Sequence, residues 1–158
     1  MREGSAVARL FEKGSGFAVA DEVAEEAKTG LVFVDPDQGS RMQAESLEEV
    51  LARSVLAVDP SEFKPAESAE IQQAAGIIVA WDLGFYSGAD LLEEIRSSES
   101  LKDCKVLISM DAPTRSGVVL AMELGADGVC CRPYEEAELS ACLDRAGLPR
   151  KVTTAPER

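Results

Sequence analysis

The sequence predicts an α/β fold in which a five-stranded parallel sheet is covered by helices on both faces. Three observations lead there. Five short apolar runs, LVFV, VLAV, IIVAW, KVLISM and GVCC, recur between residues 31 and 131. Between them the apolar residues recur every three or four positions, the pattern of amphipathic helices. Within the runs they are continuous rather than alternating, as strands buried on both faces must be. The composition, 46% hydrophobic and 28% charged over 158 residues, is that of a soluble folded chain. A chain of this size can bury roughly 70% of its unfolded-state surface without a metal or disulfide staple.

Residues 1–30 read as an N-terminal extension with one helix over 17–28, after a Gly-Ser-Gly break and ended by Gly30. The first strand is LVFV at 31–34, closed by Asp35 and Pro36. Leu47, Val50 and Leu51 then share a helical face ahead of VLAV at 55–58. A weak helix over 66–75, anchored by Ile71, leads into IIVAW at 77–81. Leu91, Leu92 and Ile95 form the next apolar face, followed by KVLISM at 105–110. Val118, Val119 and Met122 form another, with Gly125 where a helix C-cap belongs. GVCC at 128–131 is followed closely by Pro133, and Leu139, Cys142 and Leu143 supply the last face. Residues 31–146 are thus the expected domain. Residues 147–158, with two prolines, a net charge of +2 and no apolar period, read as a flexible tail. Right-handed crossovers leave few ways to wind such a sheet. The order 2-1-3-4-5 is expected, a flavodoxin-like (βα)5 three-layer sandwich.

Charge and absences narrow the function. With 16 basic and 29 acidic residues the net charge is −13, which argues against direct binding of a nucleic-acid backbone. No apolar run approaches the length of a membrane span, and Met1-Arg2-Glu3-Gly4-Ser5 lacks the basic-then-apolar order of a signal peptide. A cytoplasmic location without membrane insertion is the expectation. The absence of histidine removes Ser-His and Cys-His catalysis and His-ligated zinc. No G-x-G-x-x-G or G-x-x-x-x-G-K motif points to a nucleotide enzyme. The four cysteines, Cys104, Cys130, Cys131 and Cys142, show no C-x-x-C spacing, and adjacent Cys130 and Cys131 would face opposite ways on a strand. They read as small apolar residues of a reduced compartment.

In an open parallel sheet, function gathers beyond the carboxyl ends of the strands. There the sequence places Asp35 and Asp37 after the first strand, Asp82 after the third, Met110 and Asp111 at the fourth, and Arg132 after the fifth. Carboxylates on two strands facing a cation from the last are the residue types that hold Mg²⁺ and a phosphoryl group. Loops of α/β proteins are also simply rich in Asp, and the residues alone leave both readings open.

From Leu31 to Leu143 the chain resembles the receiver domain of bacterial two-component response regulators. The resemblance is carried by LVFVDPDQGSR, by IIVAWDLGFYSGADLLEEIR, and most specifically by VLISMDAPTRSGVVLAMELGADGVCCRPYEEAEL. It implies that Asp82 holds the phospho-acceptor position, that Asp35 and Asp82 with Asp37 as an auxiliary would be the metal ligands, and that Mg²⁺ binding would be weak. It also implies a protein partner in a signalling pathway, with a histidine kinase or a second copy of the chain as candidates. No enzymatic activity is expected beyond Mg²⁺-assisted self-phosphorylation at Asp82. The departures from the pattern are instructive. The second acid of the first loop is Pro36, the hydroxyl residue ending the fourth strand is Met110, the switch aromatic is Val129, and the lysine is Arg132. A thioether cannot donate the hydrogen bond a hydroxyl would, and guanidinium and ammonium differ in reach. The loop after Asp82 has Tyr86 and Asp90 where receivers commonly have Pro and Gly. A receiver scaffold with a degenerate phosphorylation site, acting by protein contact, is the expected function, with a working phospho-acceptor as the alternative. In the degenerate case Asp82 is expected to pair with Arg132. Two outcomes check this reading: removal of residues 1–28 leaves a cooperatively unfolding domain, and Pro36→Asp strengthens Mg²⁺ binding as measured by calorimetry.

Overall fold

The computed structural model describes residues 29–148. The helix expected over 17–28, and all but the first two residues of the expected tail, lie outside them. In chain order the elements are β1 (Gly30–Val34), α1 (Gln38–Ser46), α2 (Glu48–Leu51), β2 (Val55–Val58), 3-10 turns at Pro60–Glu62 and Pro65–Glu67, α3 (Ala69–Gln72), β3 (Ala74–Ala80), α4 (Gly88–Ser97), β4 (Lys105–Met110), α5 (Arg115–Glu123), β5 (Gly128–Cys131) and α6 (Glu136–Arg145). Every strand pairing is parallel, and the order β2-β1-β3-β4-β5 is the expected 2-1-3-4-5 winding.

The continuous apolar runs are explained by two cores, one on each face. Val32, Val34, Ile77, Val79, Val106 and Ile108 point to one side, against Leu91, Leu92 and Ile95 of α4 and Ala121 of α5. Leu31, Phe33, Ile78, Leu107 and Cys130 point to the other, against Ala44 of α1, Leu51 of α2 and Leu139, Cys142 and Leu143 of α6. This is the period of two of a strand used on both faces. Each fully buried aliphatic side chain contributes about 1.5–3 kcal/mol, so the three from α4 are enough to hold that helix against the sheet. Cys130 and Cys131 do face opposite ways: the first is buried in the second core, the second is half-buried.

Three boundaries differ from the sequence expectation. The first helix starts at Gln38, well before Leu47, because Asp37 caps it by accepting the Ser40 N–H at 2.8 Å. The weak helix over 66–75 breaks into a 3-10 turn and one turn of α3, although Ile71 is buried as its anchor. Its last residues join β3, where Ala74 pairs with Gly30; pairing along β1 overrides a weak helical preference. Gly147 and Leu148 belong to the domain rather than the tail. Gly147 has φ +92°, and its N–H and that of Leu148 donate to the carbonyls of Asp144 and Leu143. That pair of bonds is a Schellman close to α6. Leu148 then packs into the second core, over Gly76.

Gly88, the first residue of α4, sits directly against the end of β3. A Cβ there would lie 2.4 Å from the Ala80 carbonyl oxygen. Gly88→Ala is therefore expected to push α4 off the strand that carries the Asp82 loop and to destabilise the domain by about 1–3 kcal/mol, read by denaturant unfolding.

Candidate functional site

The carboxyl ends of β1, β4 and β5 converge on Asp35, which is fully buried. A buried carboxylate must have its oxygens met by donors. Oδ1 accepts the N–H of Asp37 at 2.9 Å and a guanidinium N–H of Arg132 at 2.6 Å. Oδ2 accepts the hydroxyl of Tyr134 at 2.8 Å. Tyr134 has one hydroxyl proton and spends it on Asp35, so Ser109, 3.0 Å away, donates to the tyrosine oxygen. Ser109, as the strand period requires, points away from the face that Met110 occupies, and it is buried in the second core beside Tyr134. The Tyr134 ring meets Phe33 edge-on at 5.1 Å. Its backbone N–H donates to Gln43 of α1 at 2.7 Å. Burial, followed by the neighbouring Asp35 carboxylate, raises the Tyr134 phenol well above its ordinary range.

The rest of Arg132 is committed to Asp111. Its Nε–H and its second guanidinium nitrogen donate to the two Asp111 oxygens at 2.8 and 3.0 Å, a bidentate fork. The Asp111 contact first, and the Asp35 contact after it, hold the guanidinium firmly protonated. Asp111 itself is held below the ordinary carboxylate range by Arg132. Arg41 adds a donor from α1, giving a 2.8 Å bond to the Asp35 carbonyl and lying 3.6 Å from Asp59.

Asp82 stands apart from this network. It lies just beyond β3, exposed, and accepts the Gly84 N–H at 2.9 Å. Among the described residues it forms no ion pair, so the expected Asp82–Arg132 pair is not made. Asp35 and Asp111 reach the guanidinium from the loops after β1 and β4, and their three oxygen contacts use all three of its nitrogens. Beyond Asp82 the chain makes a tight loop through Gly84, at φ +97°. Phe85 is 75% exposed on it and stacked at a tilt on Tyr86 with ring centroids 4.8 Å apart. Met110 is buried in the first core, near Gly117 of α5. Val129 packs against the same core from β5.

The three carboxylates named as metal ligands are thus not brought together as a cation site. Asp35 is occupied on both oxygens, Pro36 offers none, and Asp37 spends Oδ2 on Ser40 N–H and Oγ–H. Among the described residues no group of three or more Cys, Asp or Glu is placed to hold a metal. This donor set does not fit Mg²⁺, which demands near-octahedral oxygen at about 2.0–2.1 Å. The sequence pointed to Asp35, Asp111 and Arg132 as neighbours in the crevice but gave Tyr134 no role. The signal was there in the hydroxyl of the Arg-Pro-Tyr step, opposite an inward-facing Ser109.

No protein-family model matches the chain. Over 69 residues it is 30% identical to chemotaxis protein CheY-3 of Vibrio cholerae, a stretch covering 44% of this chain and 53% of that protein. The chain therefore spans about half the length of the curated relatives it matches. Its fold is similar to that of Vibrio cholerae chemotaxis protein CheY4, with TM-score 0.65, 15% identity, and coverage of 76% of this chain and 99% of that one. It is also similar to a response regulator receiver domain from Clostridium thermocellum, with TM-score 0.64, 20% identity, and coverage of 75% and 93%. The fold is that of these receiver-domain structures. Among the described residues no helix is long and apolar enough to cross a membrane.

Two measurements follow from the network. Arg132→Ala strands a buried carboxylate, a change that typically costs about 3–5 kcal/mol, and equilibrium unfolding should show a loss of that order. The Asp111 carboxyl titrates lower in the fold than its ordinary 3.8. The stability it lends is present above that value and lost as pH falls through the lowered one. Asp111→Asn should flatten this part of the acid limb in a pH series of unfolding midpoints.

Proposed function

We propose that the chain is a receiver-like signalling module that works by protein–protein contact and has a degenerate phosphorylation site. The observation that carries this is the commitment of Arg132. Arg132, the cation at the end of β5 that would meet a phosphoryl group on Asp82, is instead paired with Asp35 and Asp111. Pro36, Met110 and Val129 fit the same reading, since they supply neither a metal ligand, nor a phosphoryl hydrogen bond, nor a switching ring. A docking face is available for a partner or a second copy. Val119, Leu120 and Met122 are exposed on α5, and a groove of about 460 Å³ lies between α5, β5 and α6, lined by Val118, Met122, Val129 and Cys131.

One observation favours a second reading, a phospho-acceptor phosphorylated on Asp82 in a relay fed by a histidine kinase. Asp82 is exposed beyond the central strand and held by a single backbone hydrogen bond, so its free oxygen is open to a phosphodonor. The readings separate on the full-length chain treated with acetyl phosphate and Mg²⁺. The degenerate module is expected to show no phosphoryl adduct by intact mass, and no change in the emission of Trp81, the single tryptophan, on adding beryllofluoride. An adduct on wild type that Asp82→Asn abolishes, with folding unchanged, would hand the site to the second reading.

A further inference from the structure

The geometry points to Arg132 and Tyr134 acting jointly as a built-in substitute for a divalent cation at Asp35, so that the crevice is held in one arrangement by the chain's own side chains. This deepens the proposed function, on which it rests, by naming what fixes the site. The two residues flank Pro133, so a single short segment leaving β5 grips both oxygens of the carboxylate. Arg132 takes Oδ1 at 2.6 Å and Tyr134 takes Oδ2 at 2.8 Å.

Neither grip is loose. The Tyr134 hydroxyl is backed by Ser109 and its backbone by Gln43 of α1, and the side chain is 1% exposed. Arg132 is forked onto Asp111, which ties the loop after β4 to the same point. A cation approaching Asp35 would have to expel the guanidinium from Oδ1 or leave the buried Tyr134–Ser109 pair without its acceptor on Oδ2. Tyr134 is thus a positioning residue that acts through Asp35. The loss of an acid at Pro36 is then only part of what excludes Mg²⁺. Restoring that acid while the grip persists leaves Asp35 occupied, contrary to the expectation from sequence.

The test compares Mg²⁺ binding, by calorimetry and by Trp81 emission, in full-length wild type, Pro36→Asp, and the triple variant Pro36→Asp/Arg132→Lys/Tyr134→Phe. The expected result is no saturable binding to wild type or Pro36→Asp in the millimolar range, and saturable binding to the triple variant at submillimolar Mg²⁺, where an aspartate oxygen freed of its donors and a restored acid can take the cation. Binding to Pro36→Asp within about twofold of the triple variant would overturn the inference, as would a folded triple variant that binds no better than wild type. If the triple variant does not fold, the resonance of the buried Tyr134 hydroxyl proton, which is donated to Asp35, decides in the wild type. A signal unmoved by Mg²⁺ and by chelator supports the grip, and one that shifts with Mg²⁺ overturns it. Phosphodonor uptake on Asp82 tests the parent reading separately, so the two can fail independently.

Discussion

Burying a carboxylate at the end of β1 constrains much of what surrounds it. Water cannot reach Asp35, so protein donors must, and they have to come from wherever the fold brings chain close. In this winding β3 is central with β1 and β4 on either side of it, and the end of β1 is within reach of the long side chains that leave β5. Arg132 and Tyr134 meet the carboxylate from the β5 side, and Asp111 meets Arg132 from the β4 side. Three loops are thereby tied to one point. Surface ion pairs contribute little to stability. This one differs because one of its members has no access to solvent, and the remaining contacts are arranged around that fact.

The crevice is consequently divided into unlike halves. Around Asp35 it is closed, with Tyr134, Ser109 and Asp35 each at or below 1% exposure. Beyond β3 it is open, with Asp82 exposed and Phe85 projecting beside it. In a working phosphoryl site the two halves would have to cooperate across the gap, a metal on one bridging to the acceptor on the other. Here the charge that would link them is already paired, with buried Asp35 on one side and exposed Asp111 on the other.

How much of this was legible depends on the range of the interaction. The strands could be read because burial on both faces leaves continuous apolar runs, and the observed β2, β4 and β5 coincide with VLAV, KVLISM and GVCC. The start of β3 could not. Ala74 is by itself a helix former and joins the strand by pairing with Gly30 of β1, after which the register shifts past Ala75. The same holds at the site. That Asp35, Asp111 and Arg132 sit at strand ends follows from periodicity and topology. Which carboxylate the guanidinium selects is decided by loop geometry over separations of 97 and 21 residues, and no local pattern records it. Ser109 shows the boundary well. Strand period turns it to the face opposite Met110, and only the fold brings the Tyr134 phenol to it there.

The notch at Gly76 has a consequence for how the domain can be handled. A side chain there would meet Leu148 at 2.5 Å and Leu31 at 3.2 Å, so the first strand and the residue after the last helix share one contact. Leu31 and Leu148, near the two ends of the described residues, therefore meet at the amino-terminal end of the central strands, opposite the crevice. Domains with neighbouring ends tolerate circular permutation and insertion into a host protein. A spliced insert built from residues 29–148 would present Asp82 and Phe85 outward on its far side, with the splice point away from them.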